Sequence, residues 1–306
     1  MDAREIKTRR DEVAQRYGEW TAHSIRLADG VLTRADGGGA DRVRRCLQIA
    51  VDVTRRPLDQ LRVLDLGALE GQYGVEFALH GAEVVAVEGR EANIEKARVA
   101  RDALDLDRLE LRHEDVRDLS RNEHGTFDVV LCVGLLYHLA AEDVFRFLEQ
   151  LAEVCSGVLI LDTHVALRGR VAYRHGEREY RGLQFTEHDP RASRAQRERS
   201  LWASLDNPES FWPTRVSLFN ALEHAGFSSV MTVEVPAMDT SRDRVTLVAV
   251  QGTPVELASF GSGVDGRHPV RGRRPRMVRN QSRVFLWAKR LALRGMVVRD
   301  RLARPQ

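Results

Sequence analysis

An apolar run that ends in an acid and three spaced glycines, Val63-Leu-Asp65-Leu-Gly67-Ala-Leu-Glu-Gly71-Gln-Tyr-Gly74, constrains this chain more than any other feature. It passes directly into Val75-Glu-Phe77-Ala78-Leu79, where the apolar spacing becomes helical. A buried strand, a glycine turn and a helix in that order form the opening of a βαβ unit. Glycine at such a turn lets backbone N–H groups approach a ligand where a Cβ would collide. The spacing is Gly-x-x-x-Gly-x-x-Gly with Asp65 two places ahead. It departs from the Gly-x-Gly-x-x-Gly of dinucleotide binding, which argues against a nicotinamide dehydrogenase.

Four further strand ends carry polar residues in order. Val84-Val-Ala-Val87 ends in Glu88, 23 residues after Asp65, where nucleotide-binding α/β folds grip ribose hydroxyls. Leu109–His113 ends in Glu114-Asp115-Val116. Phe127–Cys132 runs through Val133 into Gly134-Leu-Leu-Tyr137-His138. A helix over Asp143–Cys155 precedes a fifth strand, Val158–Leu161, which ends in Asp162-Thr163-His164. After residues 163–213 the alternation resumes with a helix at Arg215–Gly226 and strands at Ser229–Val235 and Arg244–Val250. Regular strand–helix alternation implies a parallel sheet with right-handed crossovers.

This ordered set resembles the class I S-adenosylmethionine-dependent methyltransferases over roughly residues 60–252. The resemblance implies a Rossmann-like, doubly wound α/β fold with a seven-stranded sheet closed by a terminal hairpin. It also implies a cofactor site. Asp65, Gly67 and Gly71 would hold the amino-acid end of S-adenosylmethionine, Glu88 the ribose, and Asp115 with Val116 the adenine, with Val133 completing the wall. Three parts attach to the domain at 59–252: an N-terminal helical lid (1–58), a cap inserted at 163–213, and a basic linker and tail (253–306). The lid reads as helices at 2–17 and Arg42–Val53, joined through Gly-Glu-Trp20-Thr-Ala-His23.

Methyl transfer to a hydroxyl needs a base, because the hydroxyl pKa lies far above neutrality. His138 and His164, both at strand ends, are the candidates. His138 is equally readable as a structural histidine bonding a backbone carbonyl, and Asp162 with His164 as a loop cap. Asp162, His164, Glu187 and His188 supply oxygen and nitrogen donors for Mg²⁺, although two histidines suit that ion poorly. The cap concentrates aromatic and amide groups in Leu201-Trp202-Ala-Ser-Leu-Asp206-Asn207-Pro208-Glu-Ser-Phe211-Trp212. Stacking and hydroxyl-gripping roles fall to Trp20, His23, Tyr137, Trp202, Asp206, Asn207 and Trp212. The competing reading has Trp202 and Phe211 seal the cap against the sheet. A finer resemblance to actinobacterial saccharide and small-molecule O-methyltransferases implies a sugar-containing or natural-product acceptor. The alternatives are an RNA (tRNA) methyltransferase and a non-catalytic cofactor-binding scaffold.

Charge is unevenly spread. Residues 264–306 hold 13 Lys or Arg against two Asp, so that segment carries +11 and residues 1–263 carry −9, out of +2 overall. Val284–Leu293 reads as a basic amphipathic helix suited to an anionic membrane surface, an acidic partner or, less readily, nucleic acid. Three scattered cysteines, no signal-like leader and no long apolar run point to a cytoplasmic protein, peripheral at the membrane if the tail binds lipid. A homodimer is a further expectation.

Overall fold

The computed structural model describes residues 1–35, 39–233 and 243–255. In chain order its elements are α1 (Ala3–Tyr17), β1 (Arg26–Ala28), β2 (Val31–Leu32), α2 (Ala40–Thr54), β3 (Arg62–Leu66), α3 (Gln72–Leu79), β4 (Glu83–Glu88), α4 (Glu91–Ala103), β5 (Leu109–His113), α5 (Arg121–His124), β6 (Phe127–Val133), α6 (Ala141–Val154), β7 (Cys155–His164), β8 (Val171–His175), β9 (Arg178–Thr186), α7 (Arg194–Arg199), β10 (Glu209–Pro213), α8 (Arg215–Ala225), β11 (Ser229–Thr232) and β12 (Arg244–Val250). Met1–Pro254 pack as one compact unit. The basic segment 264–306 and its expected amphipathic helix lie outside the described residues. Among the described residues no helix is long and apolar enough to cross a membrane.

Seven strands form the central sheet in the order β11-β12-β7-β6-β3-β4-β5. From β7 to β5 the pairing is parallel, and β12 runs antiparallel between β7 and β11. The fold is therefore the Rossmann-like seven-stranded sheet that the strand pattern predicts. Alternate residues of each central strand feed opposite cores, as the period of two requires. Leu64, Val85, Val130 and Leu159 pack beneath α6 and α8. Val63, Val84, Val129 and Val158 pack beneath α2, α3 and α4. Both faces are covered, so the strands read as continuous apolar runs. Cys155 opens β7 instead of ending α6, and β7 extends to His164.

The inserted cap is more regular than its composition suggests. It contains a three-stranded antiparallel sheet in the order β10-β9-β8. The β8–β9 hairpin turns on Gly176-Glu177, with Gly176 at φ +59°. A two-residue Gly-x turn is a recognised hairpin signal. Phe145 of α6 anchors this sheet by stacking on Tyr180, with ring centroids 4.2 Å apart, and on Tyr173 at 5.6 Å. Where β10 pairs with β9, a Cβ on Gly182 would collide with both the Trp212 carbonyl oxygen and the Phe211 ring. Backbone cannot yield as a flexible side chain can. Gly182→Ala is therefore expected to cost about 1–3 kcal/mol through overpacking, measured as a lower urea midpoint. An unchanged midpoint would refute this close approach.

Candidate active site

A cavity of about 500 Å³ opens at the C-terminal ends of β3, β4, β5 and β6. This is where the strand order reverses, the usual ligand crevice of an open α/β sheet. Its floor is built from the strand-end acids. Asp65 Oδ2 accepts the Gly74 N–H at 2.9 Å, bracing the glycine turn from below. Burial, the largest influence, pushes this carboxyl up to about 7 against the pull of that N–H. Glu88 accepts N–H groups from Leu69 and Arg90, both at 2.8 Å, and burial raises its pKa as well. Leu69 sits at φ +51°, an uncommon conformation for a branched residue, within the loop that faces the cavity. Asp115 caps the short turn Val116–Asp118 through the Arg117 N–H at 2.9 Å. Asp65, Gly67, Glu88, Asp115, Val116 and Val133 all line the cavity. Gly71 is the N-cap of α3 just behind it.

The N-terminal segment is tied to the glycine turn by a buried carboxylate that the sequence did not single out. Glu70 accepts hydrogen bonds from the Thr21 N–H (2.6 Å), Thr21 hydroxyl (3.1 Å), Ala22 N–H (3.1 Å) and His23 N–H (2.9 Å). Lys96 lies 3.5 Å away and donates to the Glu19 carbonyl at 2.7 Å, with both side chains fully buried. This bracing places His23 on the cavity wall, where its Nδ1 accepts the Gln72 N–H at 3.2 Å. Burial lowers the His23 pKa to about 4, so the ring is neutral.

Two arginines clasp the cap. Each follows a strand-end acid by two residues, in Glu88-Gly-Arg90 and Asp115-Val-Arg117. Arg90 Nη2 donates to the carbonyls of Ser200, Ala203 and Ser204 at 3.1, 3.0 and 2.9 Å. Arg117 pairs with Asp115 and, at 2.8 Å, with Asp206. The strap 201–207 consequently lies along the cavity edge. The repeated acid-x-Arg spacing was the available signal for both clasps.

On the far wall the short turn Leu136–His138 presents Tyr137 and His138. His138 Nδ1 lies 3.0 and 3.1 Å from the two oxygens of Glu187. Glu187 also accepts the Ser210 hydroxyl at 2.7 Å and the Ser204 N–H at 2.9 Å. Burial alone would raise the Glu187 pKa, but the His138 ring and these donors hold it below the ordinary carboxylate range. The acceptor pattern of Glu187 assigns a hydrogen to Nδ1 of His138.

The comparisons with known proteins agree with this geometry. Residues 63–157 match a family model described as a methyltransferase domain. The chain is 36% identical over 90 residues to the ubiquinone biosynthesis O-methyltransferase of Maricaulis maris (strain MCS10), covering 29% of this chain and 35% of that protein. It is 27% identical over 105 residues to the O-antigen chain terminator bifunctional methyltransferase/kinase WbdD of Escherichia coli, covering 33% of this chain and 15% of that protein. The matches thus span about a third or less of these curated relatives. The N-terminal domain of EvdMO1, crystallised in the presence of SAH and D-fucose, superposes with a TM-score of 0.63 at 27% identity. That likeness covers 82% of this chain and 97% of that one. The chain carries a class I S-adenosylmethionine-dependent methyltransferase domain.

The residues present fit the cofactor. The turn of the methyltransferase domain has Gly67 at φ +64°, and a Cβ built there would meet Leu135 at 3.0 Å. The acids at three adjacent strand ends match the polar positions along an extended amino acid–nucleoside ligand. Gly67→Ala is expected to weaken S-adenosylhomocysteine binding about tenfold or more, roughly 1.4 kcal/mol. Calorimetric titration checks this, and an unchanged affinity would remove Gly67 from the cofactor set.

Other expected site residues have different placements. Trp20 is a core residue, 4% exposed, with Lys96 over its ring at 5.7 Å. Trp202 is 68% exposed at the cavity edge and does not seal the cap; Phe211, 2% exposed, does. Asn207 lines the cavity, but its amide N–H groups go to the His138 carbonyl (3.0 Å) and Glu209 carbonyl (2.8 Å). Trp212 lies behind the wall, donating to the Tyr137 carbonyl at 3.0 Å. His164 stacks on Trp212 at 4.8 Å and meets the edge of Tyr137 at 4.7 Å, away from the cavity lining. Its pKa is lowered, first by burial and then by Arg244.

The four expected Mg²⁺ ligands do not converge. Asp162 binds Arg244 (2.7 Å) and Thr246 (2.7 Å), His164 faces Asp243 at 3.5 Å, Glu187 holds His138, and His188 meets the Ser204 carbonyl at 2.9 Å. Among the described residues no group of His, Cys, Asp or Glu is arranged to hold a metal ion.

Proposed function

We propose that the domain transfers a methyl group to a hydroxyl of a sugar-containing or natural-product acceptor, with His138 as general base. The contact that carries this reading is the His138–Glu187 pair on the cavity wall. Glu187 fixes the ring and stabilises the imidazolium that forms, as an orienting carboxylate does for histidine in hydrolytic triads. When bound, S-adenosylmethionine supplies an electrophilic methyl group on a sulfonium. His138 Nε2 would take the acceptor's hydroxyl proton as its oxygen takes that methyl group and the sulfonium leaves as a neutral thioether. The chain's own task is alignment and exclusion of water. Arg90 and Arg117 hold the strap over the cofactor end, and Asn207 and Trp212 fix the turn that carries His138. The D-fucose present with the EvdMO1 domain supports a sugar acceptor.

The test incubates the full chain and S-adenosylmethionine with saccharide and phenolic acceptors, followed by mass spectrometry. An O-methylated product that requires His138 supports the reading. Methylation on nitrogen or carbon alone would overturn it.

A further inference from the structure

The wall beside His138 is built from groups that donate hydrogen bonds, and several of them have no protein partner. Five arginines line the cavity: Arg34, Arg42, Arg90, Arg117 and Arg244. Arg90 is spent on strap carbonyls and Arg117 on carboxylates. Arg34 donates to the Thr21 carbonyl. Arg244 is held at 2.7 Å by Asp162, which is itself buried. Arg42, half-buried in the first turn of α2, is different. Among the described residues lining the cavity, it is the guanidinium with neither a hydrogen bond nor an ion pair.

Arg42 has company. Tyr73 and Tyr137 line the same cavity, and neither phenol hydroxyl has a protein partner among the described residues. A Cβ built on Gly134 would lie 3.7 Å from the Tyr137 hydroxyl and 3.8 Å from Arg244 Nη2, so both groups border the space beside Gly134. Both arginines act electrostatically on both tyrosines. Asp162 balances the charge of Arg244 and, like the arginines, acts on both tyrosines, so the unmatched positive charge at this corner is that of Arg42. Asp65 and Glu88 accept backbone N–H groups, and Asp115 and Asp206 are paired to Arg117. A half-buried guanidinium without a counter-charge costs solvation that a ligand can restore. Guanidinium offers only donors, so the matching ligand group must supply lone pairs, and an oxyanion does so with charge.

We propose that Arg42, Arg244, Tyr73 and Tyr137 form an oxyanion subsite, so that the acceptor is an acidic molecule carrying a carboxylate or phosphate beside the hydroxyl to be methylated. This deepens the O-methyltransferase reading and rests on it. The shared chemistry is an oxyanion, and the cofactor's own carboxylate is the other source that the experiment must separate. Arg42 then sets specificity: it selects charged over neutral hydroxyl compounds and anchors the acceptor next to His138.

The test titrates inorganic phosphate, D-galacturonate and D-galactose into the full chain saturated with S-adenosylhomocysteine. The two sugars share ring configuration and differ at the sixth carbon, a carboxylate against a hydroxymethyl group. The expected result is binding of either anion at least tenfold tighter than D-galactose. Arg42→Gln should weaken that binding at least tenfold while S-adenosylhomocysteine affinity stays within twofold. Tyr73→Phe, which removes one hydroxyl and no charge, should weaken it about threefold and serves if Arg42→Gln does not fold. Anions that bind no better than D-galactose, including no binding by any probe, would overturn the proposal. So would anion binding that survives Arg42→Gln. A tenfold loss of S-adenosylhomocysteine affinity in Arg42→Gln would assign the guanidinium to the cofactor carboxylate instead. Failure of the unmodified chain to bind S-adenosylhomocysteine would strike the methyltransferase reading itself, and is told apart in the first titration.

Discussion

His138→Ala is expected to lower kcat on a hydroxyl acceptor about a thousandfold, with S-adenosylhomocysteine affinity within twofold of the original. General-base catalysis contributes on the order of 10²–10⁴ in rate, and His138 lines the cavity with its ring bonded to Glu187 and not to the strand-end acids. The effect should therefore appear in turnover and not in cofactor binding. Glu187→Gln tests the same assignment from behind. The amide can still occupy the space between Ser210, Ser204 and His138, but it carries no charge to stabilise the imidazolium. A loss of about 10- to 100-fold in kcat is expected, smaller than that of His138→Ala because the base remains. Combining the two should cost little more than His138→Ala alone, since residues that act as a unit are not additive. A kcat within threefold of the original would remove His138 from the mechanism.

The largest effect on stability is expected from Lys96→Met. Its ammonium and the Glu70 carboxylate are both fully buried. Removing one partner leaves the other charge in a low-dielectric interior, which typically costs about 3–5 kcal/mol. For a unit of this size that corresponds to a fall in Tm on the order of 10 °C. The double variant Lys96→Met/Glu70→Gln should lose less than the separate changes predict, because the orphaned charge is gone. Glu70 also gathers three N–H groups and one hydroxyl from residues 21–23. Its replacement should therefore loosen the wall that carries His23 and weaken cofactor binding. Urea unfolding of the single and double variants decides the matter; a loss below about 1 kcal/mol for Lys96→Met would refute the buried pair.

The sequence was most legible where backbone geometry dictates residue type. The glycine turn, the strand-end acids and the continuous apolar runs marked the central sheet, and Asp65, Glu88 and Asp115 line one cavity at its strand ends. Two kinds of feature were hidden. Glu70, Lys96 and Arg42 act through partners far away in the chain or through the absence of one, and no local pattern marks either. The small cap sheet was obscured because strands of Arg, Tyr, Glu and His lack clear apolar alternation, although Gly176-Glu177 marked its turn. Trp20 and Trp212 misled for a related reason. An aromatic among polar neighbours reads as a ligand platform, yet Trp20 is buried in the core and Trp212 braces a carbonyl from behind. Glu187 was singled out for its donor chemistry, and the structure gives that chemistry a histidine to hold.

The clasp made by Arg90 has a consequence for how such a protein diversifies. It grips four main-chain carbonyls, those of Glu198 and Ser200 just ahead of the strap and of Ala203 and Ser204 within it, and a carbonyl is the same whatever side chain its residue bears. The fastening is thus indifferent to sequence, whereas Trp202 and its neighbours project from a backbone already secured. Mutational drift can rewrite those side chains without undoing the latch. Recognition of new molecules is then able to change while the nucleotide end of the crevice stays as it is, so inheritance of the chemistry is separated from inheritance of its target.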